Sequence, residues 1–446
     1  MLKPLGEKNI DQSIGAIAIG QAAYPQPFRS ELEFNAPARG MWNIVHTGML
    51  IPQSHQIFVC AQGCLRGVIL TAAEMNAMDR MSFVTVQEQE LFDGTMERNI
   101  VEGTAAILDR MAKPPRAVLL FLSCIQLFAG CDLKSVFAEL RNRYKHIDFI
   151  ECLMHPTMRK NQLSPDQFMR RQLYAMLRKT SDVEPRTIGI IGNDRATAES
   201  SELIRFLRSG NYGLRDITLC RNYDEYLSMA RCGYFISYLT TARAANEFLS
   251  QRLGRPHLHL PLSYNAGEIR HNYQLLGDML ELDVPDFAED SAAAEAALRQ
   301  AHKVIGNRPV AIDYTATLRS LSLARLLLDN GFNVERIYTD VIIGEEADDF
   351  TYLQQHYPQV MLYPTLHPRM RFAVMAPGSN DDFIAIGQKA ACYTGTSHLV
   401  NIVSGGGWYG FDGIRQLAQA MQQAALNRSD VKTLIQHKGW GCESCL

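Results

Sequence analysis

The chain has 446 residues, and at about 100 to 200 residues per domain that length favours roughly three domains over one core. Lysine plus arginine total 44 against 47 aspartate plus glutamate, a net charge of −3 with no basic run, so nucleic acid is excluded as an expected partner. With 47% hydrophobic and 20% charged residues the composition is that of a folded globular chain. No apolar run is long enough to span a membrane, and the start MLKPLGEKNIDQS lacks the apolar stretch of a secretion signal, so the expected location is the cytoplasm.

Taken in chain order, SHQIFVCAQGCLRG (54 to 67) places Cys60 and Cys64 in a turn-like setting, with Gly63 and Gly67 permitting close backbone approach. From residue 116 onward, short apolar and β-branched runs alternate with segments of helical period. The expected strands are 116–124, 146–152, 187–193, 216–220, 234–239, 257–262, 309–314, 332–340, 360–365, 381–387 and 399–405. Nearly continuous apolar runs suit strands covered on both faces, which predicts an α/β protein of three Rossmann-like, doubly wound parallel-sheet domains with a cleft between them. Boundaries fall in LRKTSDVEPR (177 to 186) and near 288–309, giving residues 1–180, 181–300 and 301–446. The turns GNDRAT and DYTATL carry neither GxGxxG nor GxxxxGK[ST], so no dinucleotide or self-contained nucleotide hydrolase is supported by motif.

Ten cysteines are many for a reducing compartment, where thiols pack, bind metal or react. Cys152, Cys220, Cys232 and Cys392 stand alone and read as core thiols. FLSCIQLFAGCDL puts Cys124 at the end of a strand and Cys131 near the start of a helix, where α/β folds build sites. With Cys60 and Cys64 this makes four thiols, enough for a [4Fe-4S] cluster or a structural zinc, while the spacing equally allows four packing cysteines. His55 and Asp132 could move protons, or serve as turn and helix caps. In IDYTAT, Asp313, Thr315 and Thr317 follow a strand as a cleft wall or an ordinary cap; SYNAGEIRHNY (263 to 273) reads as a solvated helix face. Cys442 and Cys445 form a terminal CxxC of open role.

Three stretches resemble the nitrogenase component 1 superfamily, which includes molybdenum–iron protein subunits, cofactor-assembly scaffolds and the dark-operative protochlorophyllide reductase. They are Ser54–His55 with Cys60, Gly63 and Cys64; FVTVQEQELFDGTMERNIVEGTAAIL (83 to 108); and LSCIQLFAGCDL; GGGWYGFDG (405 to 413) adds a fourth. The resemblance implies an oxidoreductase fed by an ATP-hydrolysing iron protein, acting as a homodimer or paired with a related chain, on a small organic substrate. Cys124 matches the family's last N-terminal cluster cysteine, and Cys60 or Cys64 the central one. The first is expected near FNAPARG (34 to 40), where no cysteine stands. That departure favours a [4Fe-4S] cluster on Cys60, Cys64 and Cys124, with Cys131 or a partner residue as the fourth ligand, over an eight-iron P-cluster. Tyr238 and Val400 stand where the family's catalytic cofactor finds its cysteine and histidine, with His398 two residues away. The resemblance thus implies an organic molecule in that cavity. A cofactor scaffold without turnover and a ligand-binding module with packing cysteines are the alternatives.

Overall fold

A computed structural model describes residues 15–30, 32, 44–154, 163–368, 370, 373–376 and 378–431. Its strands form three sheets. In the first, Met81–Thr85, Ser54–Cys60, Ala117–Ser123 and Asp148–Met154 lie side by side in that order, all parallel. All seven residues of Ser54–Cys60 and of Ala117–Ser123 are buried, as expected of strands with helices over both faces. Alternation divides their side chains between two cores. Phe58, Cys60, Leu119 and Phe121 enter one, where the Phe58 and Phe121 rings stack at 4.2 Å; Ile57, Val59, Val118 and Leu120 enter the other.

The second sheet is parallel in the order Gly213–Asp216, Glu184–Ile190, Cys232–Ser237, His257–His259. In the third, Met361–Tyr363, Asn333–Tyr338, Pro309–Asp313, Ile384–Ile386 and Leu399–Val400 run parallel, and Ile17–Ala18 adds an antiparallel edge on Met361–Tyr363. The α/β class with three doubly wound parallel sheets is therefore as expected.

Three local expectations change. Ser54–Cys60 and Met81–Thr85 are strands that lie before residue 116. DITLC is not a strand. Its sheet segment stops at Asp216, whose carboxylate accepts from Thr218 N–H at 2.9 Å and starts a 3-10 turn at Ile217–Leu219. SYNAGEIRHNY is solvated only in part: Arg270 and His271 are exposed, while Tyr264 and Tyr273 are buried.

The chain packs as two compact units. Among the described residues, one comprises 44–154, 163–194 and 212–259 with the first two sheets, the other 15–30, 32, 195–211 and those from 260 to 431 with the third. The helices Glu202–Ser209, Ala266–Leu280 and Ala288–Ile305 belong to the second unit because they pack against its helix Gly410–Leu426. That helix is seated by the buried Glu202, whose carboxylate accepts from Phe411 N–H at 2.6 Å and Asp412 N–H at 3.0 Å. Gly407 before it has φ +78, and a Cβ there would lie 2.2 Å from the Ala196 carbonyl oxygen, which is the close approach the glycine run allows.

Candidate functional site

The first sheet has a topological switch point. From Ser54–Cys60 the chain turns to Met81–Thr85 on one side, and from Ala117–Ser123 to Asp148–Met154 on the other, so the segments leaving these adjacent strands diverge and open a crevice at their carboxyl ends. Cys60 closes one strand, Cys64 lies in the first turn of the following helix Gln62–Glu74, and Cys124 opens the helix after the other strand. Val59 pairs with Leu122, which brings Cys60 and Cys124 to neighbouring strand ends.

Their exposure differs. Cys64 is exposed at the positive end of a helix, Cys124 is half-buried, and Cys60 is fully buried in the core facing the first of the two helix layers. Gln126 fixes the site from behind: its Oε1 accepts from Ser123 N–H and Oγ–H, each at 2.8 Å, and its Nε2 donates to the Val59 carbonyl at 3.0 Å. The buried amide thus ties the Cys124 helix to the strand that ends in Cys60. Gln126 went unnoticed in the sequence, although Ser123-x-x-Gln126 is the spacing of a capping box.

Cys131 does not share the Cys60 core. It packs into the core on the opposite sheet face, its thiol donates to Met96 Sδ at 3.3 Å, and burial, then the Glu97 charge, pushes it up to about 11. Asp132 is a helix cap: its carboxylate accepts from Ser135 N–H at 3.1 Å at the start of Leu133–Arg143. Among the described residues no three histidine, cysteine, aspartate or glutamate side chains converge to hold a metal. Cys442, Cys445 and FNAPARG lie outside the described residues.

His55 belongs to the same strand as Cys60 but lies toward its amino-terminal end, since five residues of strand separate them by about 16 Å. It is buried and bonded to Ser82 Oγ at 2.8 Å, and burial, then the Arg80 charge, lowers it to about 4. A histidine depressed below its unfolded value of about 6.5 leaves the unfolded chain holding the extra proton between the two values. Its contribution to stability is present above about pH 6.5 and is lost as pH falls toward about 4. Denaturant titrations over that range should therefore fall less steeply with acid in His55→Gln than in the parent; equal slopes would contradict this.

His398 sits at the amino-terminal end of Leu399–Val400, where Nδ1 donates to the Ala424 carbonyl at 2.7 Å. Tyr238 follows strand Cys232–Ser237 at the switch point of the second sheet, and its hydroxyl accepts from Asn193 Nδ2 at 2.8 Å beside the buried Asp216. Val400 is buried in the third sheet. Cys152, Cys232 and Cys392 are buried and Cys220 half-buried, as core thiols should be.

No helix among the described residues is long and apolar enough to cross a membrane. Comparison with known proteins adds the family. No curated protein matches the sequence. Among solved structures, one described as "Nitrogenase Cp1 at pH 6.5" superposes with TM-score 0.66 at 13% identity over 89% of this chain and 94% of its own. A second, "Nitrogenase Cp1 at pH 5", gives 0.60 at 12% identity over 93% and 94%. Such identities establish the shared fold alone. The family model described as nitrogenase component 1 type oxidoreductase matches residues 45–424, most of the chain, and carries the strand ends that bear Cys60, Cys64 and Cys124. The chain belongs to the nitrogenase component 1 type oxidoreductases.

Proposed function

We propose that this chain is the catalytic component of a two-component reductase, receiving electrons from an ATP-hydrolysing iron protein through a [4Fe-4S] cluster and passing them to an organic substrate. The family binds iron–sulfur clusters and works with an iron protein. The observation that carries the reading to this chain is the placement of Cys64 and Cys124, one exposed and one half-buried thiol, on either side of the first sheet's switch point.

A four-iron cluster takes four thiolates. Cys64 and Cys124 fit such a group because both lie where a ligand can reach them; Cys60 stands behind them facing the core, and Cys131 is on the far side of the sheet. Two accessible thiols per chain make a full set when two chains meet, so the cluster belongs at the junction with a second copy. The same rim is apolar: Phe92 and Phe128 are 77% and 72% exposed, and Leu91 and Leu127 lie beside them in sequence. An exposed apolar rim of this kind suits a surface covered by another subunit. When bound, the cluster supplies a one-electron relay of low potential. The protein's own residues hold the strand ends in register, through Gln126, and keep the far thiols packed.

Tyr238 and Val400, in place of soft and imidazole ligands, favour an organic substrate over a second metal cluster. Protein purified without oxygen should be brown, with absorbance at about 400 nm, and contain on the order of four irons per pair of chains. Adding an iron protein and MgATP under dithionite should drive reduction of acetylene or protoporphyrin, two probes of different size. Colourless monomer holding zinc would overturn the reading; iron without turnover would leave a cofactor scaffold.

A further inference from the structure

We propose that Tyr314 is the acid that protonates the substrate as electrons arrive, with Lys389 keeping its phenol acidic; this rests on the reductive reading above. The third sheet has its own switch point. Strands Asn333–Tyr338 and Met361–Tyr363 continue on one side of Pro309–Asp313, and Ile384–Ile386 with Leu399–Val400 on the other. The crevice therefore opens between the carboxyl ends of Pro309–Asp313 and Ile384–Ile386, the place where open α/β sheets bind ligands. Tyr314 is the first residue past one strand, and Lys389 is three residues past the other.

The two side chains meet there. Lys389 Nζ donates to the Tyr314 hydroxyl oxygen at 2.6 Å and lies 4.6 Å from the centre of its ring; a longer contact of 3.3 Å runs to Thr365 Oγ1. Lys389 is 7% exposed, whereas Tyr314 is half-buried. Its helix neighbours Ala390, Ala391 and Cys392 are all buried, so an apolar residue would fill the same place without the cost of desolvating an ammonium. An ammonium donating to a phenol oxygen stabilises the phenolate and makes the phenol a stronger acid.

The pair is held by Asp313. Its buried carboxylate accepts from Thr315 N–H at 2.7 Å on the Tyr314 side and from Ala390 N–H at 2.7 Å on the Lys389 side. Gly387 makes room for it: φ is +103, and a Cβ would lie 2.3 Å from Asp313 Oδ2. The other ionisable groups around Lys389 and its hydrogen-bond partners include, among the described residues, Asp340, which accepts from Thr365 N–H at 2.8 Å and Leu366 N–H at 2.9 Å, Cys392, pushed up to about 12 chiefly by burial, and Tyr393. Both carboxylates are engaged by backbone amides.

In the step, an electron delivered from the iron protein enters an unsaturated carbon of the substrate. The Tyr314 O–H bond breaks, its proton forms the new C–H bond, and the electron pair stays on the phenolate oxygen beside the ammonium. Water returns a proton before the next electron arrives.

The test has two arms. In protein carrying 13Cζ-tyrosine, the resonance lost in Tyr314→Phe should titrate at least about one unit below the ordinary tyrosine value of about 10, and Lys389→Met should return it to that value or above. With whichever probe the parent reduces, Tyr314→Phe should cut turnover by about 100-fold while iron content and ATP-driven cluster reduction stay at parent levels. A Tyr314 phenol titrating at or above about 10 in the parent, or parent-level turnover in Tyr314→Phe, overturns the proposal. If the parent reduces neither probe, the reductive reading fails, and the titration alone decides the pair.

Discussion

Cys124→Ala, purified without oxygen, is expected to lose most of its iron, while Cys220→Ala and Cys392→Ala keep the parent's full complement. The three residues share a chemistry and differ in place. Cys124 is half-buried at the first sheet's switch point, next to the strand that ends in Cys60. Cys220 donates to the Asp216 carbonyl at 3.4 Å and is pushed up to about 11 by burial and the Asp216 charge; Cys392 is buried in the helix Gln388–Thr394. Removing either of the latter truncates a packed side chain by one sulfur, a loss of about 1 kcal/mol in a urea titration. Cys64→Ala should follow Cys124→Ala in iron content, and Cys131→Ala should follow the controls, because its thiol faces the opposite core. Equal iron in Cys124→Ala and the two controls would remove Cys124 from the ligand set. The measurement is metal analysis, so it does not depend on finding the substrate.

The largest expected change in stability comes from Arg170→Met. Arg170, in the helix Pro165–Leu173, is fully buried; it bonds Asp166 at 2.9 Å, Asp194 at 2.8 Å and the Gly192 carbonyl. Gly192 and Asp194 lie just past strand Glu184–Ile190, and Gly192 N–H also donates to the Tyr174 hydroxyl at 2.8 Å. One guanidinium therefore fixes the loop that carries Asn193 at the second sheet's switch point. Removing it leaves the buried Asp166 with the Thr47 hydroxyl at 3.3 Å and the like charge of Asp194 nearby. An uncompensated buried charge costs about 3 to 5 kcal/mol. Burial already raises the Asp166 carboxyl despite Arg170, and without the arginine it is raised further. A folded-state value above the unfolded one of about 4 means the penalty is absent at low pH and grows as pH rises. The gap between Arg170→Met and the parent should narrow from pH 8 toward pH 5, and Arg170→Met with Asp166→Asn should recover part of it. A gap under about 1 kcal/mol at neutral pH would show that the network is not holding the loop.

Local patterning made much of this protein legible. Apolar runs such as RAVLLFLSC and PVAIDY gave strands buried on both faces, because a parallel sheet sandwiched by helices needs apolar side chains at odd and even positions alike. The same pattern put Cys124 at a strand end, and the spacing of Asp132 marked a helix start. Which core a cysteine faces and which end of a strand a residue occupies were decided only by the tertiary structure. Cys131 is seven residues from Cys124 yet packs against the core that Cys60 does not enter, because the chain passes through the short helix Cys124–Phe128 and a glycine turn before reaching it. His55 is five residues from Cys60 yet lies at the other end of the strand, because Ser54–Cys60 runs extended and the turn-like stretch with its glycines begins only after Cys60. Strand order is decided by packing between segments far apart in the chain, so no local pattern could bring Tyr314 beside Lys389. A lone lysine in the apolar stretch IAIGQKAACYTG was the trace of it in the sequence; its partner became visible only when the sheet placed the two strand ends side by side.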